Sequence, residues 1–145
     1  MFVVDTNILV YATNPDGDQY PVAREALGEW RAEAESWFVT WPILFEYLRV
    51  STLRGLFEHP RTLQQAWAFV AALLATPSIG ILTPTERHAR VVAELVAEYP
   101  SLSGSILHDF HTVALMREHG IGEIRTADGD FRRFEHLRVS NPLAP

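Results

Sequence analysis

A chain of 145 residues is the size of one domain, and an apolar share of 48% gives it the means to bury a single core. It has no cysteine, and all twelve of its basic residues are arginine, so disulfides, thiolate metal sites, cysteine nucleophiles, Schiff-base lysines and Walker-type phosphate loops are excluded. A formal charge of −6 argues against holding nucleic acid by bulk positive charge, but not against acids gathered in one site and neutralised by metal.

Phe2-Val3-Val4 is a short apolar run of the kind buried on both faces of a parallel sheet, and it ends on Asp5-Thr6-Asn7 before a helix through Ile8 to Tyr11. No basic leader precedes it and no apolar run is long enough to span a bilayer, so a cytoplasmic protein without a membrane partner is expected. Asn14 to Asp18 is a turn-rich acidic loop, and Pro21 opens a helix from about Tyr20 to Glu35. Ser36 to Thr40 reads as a second strand, with Thr40 capping a helix from Trp41 to about Thr52. After a connection over 54–61, Thr62 to Ala75 forms an apolar helix. Ile79 to Thr83 is a third strand, followed by helices from Pro84 to Tyr99 and from Ser105 to His119, the latter stopped by Gly120. Glu123 to Thr126 and Leu137 to Val139 complete the strands. Alternating strands and helices predict an α/β fold: one domain over 1–145, its central parallel sheet of four to five strands flanked by helices on both faces.

On this framework the acids return to one place. Asp5 ends the first strand, and Asp128 and Asp130 follow the fourth. Glu46 lies among apolar neighbours two turns into its helix, and Asp109 lies near the start of another. Each has an ordinary reading: Asp5 as a helix cap, Glu46 as a solvated helix residue, Asp109 as an acid favoured by the helix dipole, Asp128-Gly129 as a turn. Their convergence on the carboxyl edge of the sheet is what ordinary readings leave unexplained. Two carboxylates about 5 Å apart repel by roughly 3 kcal/mol at an effective dielectric of about 20, so such a cluster calls for a hard divalent ion, Mg²⁺ or Mn²⁺. A zinc site on His108 and His111 is the rival; the histidines are read instead as surface or supporting residues, with His108 nearest the site.

The strand ending in Asp5-Thr6-Asn7, the helical Glu46 and Asp109, and the closing Thr126-Ala127-Asp128-Gly129-Asp130-Phe131 resemble the PIN-domain ribonucleases. More narrowly, the chain resembles a VapC-type toxin of a type II toxin–antitoxin pair, along essentially its whole length. The resemblance implies a metal-dependent endoribonuclease that uses metal-activated water and leaves 5′-phosphate and 3′-hydroxyl ends. It also implies a cognate antitoxin and a homodimer. The family's four acidic positions fall on Asp5, Glu46, Asp109 and Asp128, with metal held mainly by Asp5, Asp109 and Asp128 and with Glu46 orienting the water or completing the outer shell. Asp130 is a further metal acid, and Asn7 and Thr126 support the site. Two departures stand out. Asp109 is set in Leu107-His108-Asp109-Phe110-His111 where small residues are usual, and the Asp16–Asp18 loop is long enough to cover the mouth of the site.

Removing the five candidate acids from the formal charge leaves −1, and Arg49, Arg54 and Arg61 are candidate phosphate contacts. Trp30, Trp41, Phe45, Tyr47 and Leu48 predict a groove for an antitoxin helix, with an antitoxin arginine directed at the acids. Two alternatives stay open. A catalytically degenerate PIN-like ion-binding or interaction module would keep the fold. A haloacid-dehalogenase-type phosphohydrolase would require an acid where Asn7 stands, and a lysine or arginine downstream.

Overall fold

In the computed structural model, which describes residues 1–145, five parallel strands form one sheet. They are β1 (Phe2–Val4), β2 (Trp37–Thr40), β3 (Ile79–Leu82), β4 (Glu123–Arg125) and β5 (Arg138–Ser140), in the order β3-β2-β1-β4-β5. Six helices connect them: α1 (Thr6–Tyr11), α2 (Tyr20–Ala32), α3 (Trp41–Ser51), α4 (Leu63–Leu74), α5 (His88–Glu98) and α6 (Ile106–Glu118). The chain steps outward from β1 through β2 to β3, then crosses back past both to β4. With right-handed crossovers, that reversal places α5 and α6 on the face opposite α1 to α4. The packing agrees, since α1 meets α2 and α3, α3 meets α4, and α5 meets α6.

The core explains the runs read from sequence. Phe2, Val3 and Val4 are fully buried because β1 is paired on both sides, with β2 and β4. The Phe2 ring packs edge-on against Trp30 at 5.3 Å and is stacked over Trp37 at 6.3 Å, and the Trp37 indole N–H donates to the Trp30 carbonyl. Gly80 pairs with Phe38 across β2 and β3, where a Cβ would lie 2.8 Å from the Phe38 ring. A glycine in mid-strand here marks a close approach.

Two element boundaries differ from the sequence reading by three residues or more. Helix α2 stops at Ala32 rather than Glu35, and Glu35 accepts a hydrogen bond from the Met1 ammonium. Helix α5 begins at His88, not Pro84, because the Thr85 backbone N–H and hydroxyl are both given to the Glu118 carboxylate, which holds 83–87 out of the helix. Two expected groove residues also belong to the core: Trp30 is held between Phe2 and Trp37, and Tyr47 is fully buried with its hydroxyl donating to Thr13 Oγ1. No helix is long and apolar enough to cross a membrane.

Candidate metal centre and substrate cleft

The direction of winding reverses at β1, so the connections after β1 and β4 part there and leave a crevice at the carboxyl edge. Asp5 sits at its floor. Its Oδ1 accepts the Thr6 N–H at 2.7 Å, capping α1 as an aspartate should. Its Oδ2 accepts from Asn7 Nδ2 at 2.9 Å and from Thr126 Oγ1 at 2.7 Å. The cap reading and the site reading of Asp5 are therefore both satisfied by one side chain. Asn7 closes the network, its Oδ1 accepting the Ala127 N–H, while Thr126 Oγ1 also accepts the Asp128 N–H. Burial pushes the Asp5 carboxyl above its ordinary range, and Asp128 adds to that, against the pull of its three hydrogen bonds.

Three further acids meet above this floor. Carboxylate oxygens of Asp109, Asp128 and Asp130 all lie within 4.8 Å of one another. Asp109 comes from the first turn of α6, and the other two from the turn after β4, where Asp128 Oδ1 accepts the Asp130 N–H at 2.8 Å. Partial burial, then the charges of Asp5, Asp128 and Asp130, raise the Asp109 carboxyl to about 7. An anionic cluster that cannot fully ionise at neutral pH, built only of oxygen donors, fits a hard divalent cation. The resemblance assigns the metal mainly to Asp5, Asp109 and Asp128, with Asp130 as a further metal acid. The structure instead groups Asp130 with Asp109 and Asp128, and places Asp5 beneath them with its oxygens already engaged by the chain.

These acids open onto a cavity of about 1200 Å³ that Glu46, Arg49, His108 and the apolar Pro42, Phe45 and Phe57 also line. Glu46 reaches the cavity, but its carboxylate is half-exposed and held bidentately by Arg49 at 2.7 and 2.8 Å. That pair holds its carboxyl below the usual glutamate range, and His108 contributes to the same effect. So the solvated-helix reading of Glu46 is partly right. Arg49 lines the cleft as expected; Arg61 does not, since its guanidinium donates twice to the Thr13 carbonyl at 2.8 and 3.1 Å. Arg54 is exposed and lies outside the cavity lining. Nor does the Asp16–Asp18 loop line the cavity: Asp16 pairs with His59 at 2.9 Å instead. Leu56 and Phe57, in a stretch read only as a connection, line the cavity; their apolar character beside Gly55 was the available signal.

Comparison with known proteins supplies the family context. The family profile described as PIN domain matches residues 2–137. Ribonuclease VapC37 of Mycobacterium tuberculosis is 33% identical over 144 residues, which cover 99% of each chain. Among solved structures, M. tuberculosis VapC20, described as a sarcin–ricin loop cleaving toxin, superposes with a TM-score of 0.69 at 19% identity, covering 97% of this chain and all of that one. VapBC2 from Rickettsia felis, bound to a DNA fragment from its promoter, superposes with a TM-score of 0.63 at 19% identity, covering 97% of each chain.

Proposed function

Because the chain belongs to the PIN-domain family, we propose that it is a metal-dependent endoribonuclease, the toxin of a toxin–antitoxin pair. The observation that carries this is the meeting of Asp109, from α6, with Asp128 and Asp130, from the turn after β4, in a cleft of about 1200 Å³. These three would hold Mg²⁺ or Mn²⁺, with Asp5 completing the shell from below. When bound, such an ion polarises a phosphoryl oxygen and lowers the pKa of water in the site.

The chain's own groups do the rest. Asn7 and Thr126 fix the Asp5 carboxylate in one orientation, so the floor of the site needs no rearrangement as charge develops above it. Glu46, across the cleft, is the acid placed to orient the attacking water once Arg49 is drawn away from it. The haloacid-dehalogenase alternative loses support, because the second-acid position is Asn7, whose amide serves as a donor to Asp5. Restraint by a cognate antitoxin is favoured by the likeness to a VapBC assembly; we further propose a homodimer.

The test is incubation of the purified chain with single-stranded RNA and Mn²⁺ or Mg²⁺, with and without chelator. Cleavage that yields 5′-phosphate ends, stops with chelator and is lost in Asp109→Asn supports the reading. Metal binding without cleavage would favour the degenerate ion-binding module.

A further inference from the structure

The charge of the cleft is one-sided. Asp5, Glu46, Asp109, Asp128 and Asp130 all line it, and Arg49 is its single arginine. A phosphodiester chain entering that space needs positive charge beyond any metal the acids hold, and Arg49 is the arginine that offers it. Arg49 is committed to Glu46 only through an exposed ion pair, the kind that is readily exchanged. A phosphate presents to the guanidinium the same two-oxygen edge as the carboxylate it would replace.

One turn before Arg49 on α3 stands Phe45, which lines the same cavity yet is 65% exposed. Trp41, one turn earlier again, leans on it with ring centroids 6.3 Å apart and planes tilted by 56°. The Phe45 ring is thus braced on one side and bare on the other, with a cation one turn along the helix. That is the pairing of stacking surface and phosphate contact that single-stranded nucleic acid requires.

We propose that Phe45 and Arg49 form a nucleotide subsite flanking the scissile phosphate. An unpaired base stacks on the Phe45 ring, and the adjoining phosphate takes the Arg49 guanidinium from Glu46. This inference rests on the ribonuclease reading and deepens it: the substrate is single-stranded where it crosses α3, since a base within a duplex is already stacked on both faces. It also couples binding to chemistry, because Glu46 is released only when the phosphate has engaged Arg49.

The experiment is steady-state cleavage of a fluorogenic single-stranded RNA in Mn²⁺ by the full chain and by Phe45→Ala, Phe45→Trp and Arg49→Ala, each checked for folding by circular dichroism. Phe45→Ala is expected to raise KM about tenfold, and Phe45→Trp to restore it. Arg49→Ala should make the slope of log(kcat/KM) against log salt shallower by about 0.7, the signature of one lost single-strand phosphate contact. An unchanged KM in Phe45→Ala, with the wild type still cleaving, overturns the subsite and assigns the exposed ring to a protein partner. A wild type that neither cleaves nor binds the RNA removes this inference together with the ribonuclease reading.

Discussion

Asp5 and Thr126, 121 residues apart in the chain, are joined by a 2.7 Å hydrogen bond that ties the end of β1 to the end of β4. The bond explains why a carboxylate buried at a strand end can stay in place before any metal arrives: three donors from the chain already hold it. It also separates two acids that sequence reasoning treated alike.

Asp5→Asn should abolish cleavage and also destabilise the metal-free protein. A carboxamide offers one acceptor oxygen to Thr6, Asn7 and Thr126, and its NH₂ would face donors. Against this, removing a desolvated charge gives something back, so a net cost of about 1–3 kcal/mol is expected by urea unfolding. Thr126→Val should cost a similar amount, because it also orphans the Asp128 N–H. A metal-free Asp5→Asn chain as stable as wild type would show that the network is dispensable.

Asp109→Asn should behave in the opposite way. The Asp109 carboxyl is raised from 3.8 to about 7 by partial burial and three neighbouring carboxylates, with no hydrogen bond pulling it down. The folded chain therefore binds this proton more tightly than the unfolded chain does. Stability from this group is full below about pH 4 and is lost as pH rises toward and through 7. Without metal, the variant should unfold at a higher temperature than wild type at pH 8, the gap closing by pH 4, while showing no cleavage. Equal melting at pH 8 would mean that Asp109 carries no strain.

The same proton competes with the cation. At pH 6 the Asp109 carboxyl is about nine-tenths protonated, so apparent Mn²⁺ affinity should be about tenfold weaker than at pH 8. Calorimetric titration at both pH values measures this directly. An affinity independent of pH would take Asp109 out of the ligand set.

The pieces legible in the sequence were those whose signal is local. The run Phe2-Val3-Val4 and its terminal Asp5, the Thr40 cap and the Asp128–Asp130 turn all follow from short-range patterns, and the structure keeps them. What the sequence hid depended on where long side chains end. Trp30, Phe45 and Tyr47 look alike along their helices, yet the first and third fill the core and the second faces the cleft. The true start of α5 was hidden because its determinant, Glu118, lies 33 residues downstream of Thr85. Arg61 looked like a free cation, and only the fold brings the Thr13 carbonyl to it.

Glu118 gives the acid limb of stability. It is buried near the end of α6; burial opposes its charge, but hydrogen bonds from Thr85 Oγ1, His88 and the Thr85 N–H together outweigh that and bring its carboxyl to about 2. Its folded value lies below the ordinary 4.5, so its contribution is present above pH 4.5 and is lost as pH falls toward 2. Glu118→Gln should flatten the stability profile over that interval, and His88→Ala should cost about 1–3 kcal/mol at pH 7 by leaving a buried carboxylate short of a donor. A profile for Glu118→Gln that falls as steeply as wild type would place the acid sensitivity elsewhere.

Arg61 provides the contrast with Arg49. Its guanidinium gives two hydrogen bonds to the Thr13 carbonyl, and its backbone N–H donates to the Ser51 carbonyl. Together these pin the 53–61 connection, which supplies Leu56 and Phe57 to the cleft wall, against the ends of α1 and α3. Removing the side chain leaves the Thr13 carbonyl without those donors, so Arg61→Ala should cost about 1–3 kcal/mol in urea unfolding. Because this charge is spent inside the protein rather than offered to phosphate, the salt slope of kcat/KM should stay at the wild-type value, unlike that of Arg49→Ala. KM should rise modestly as the wall loosens, and it should rise equally at low and high salt. A slope shallower by about 0.7 in Arg61→Ala would mean that the guanidinium leaves Thr13 to meet RNA, and the arginines first grouped together from sequence would then share one role.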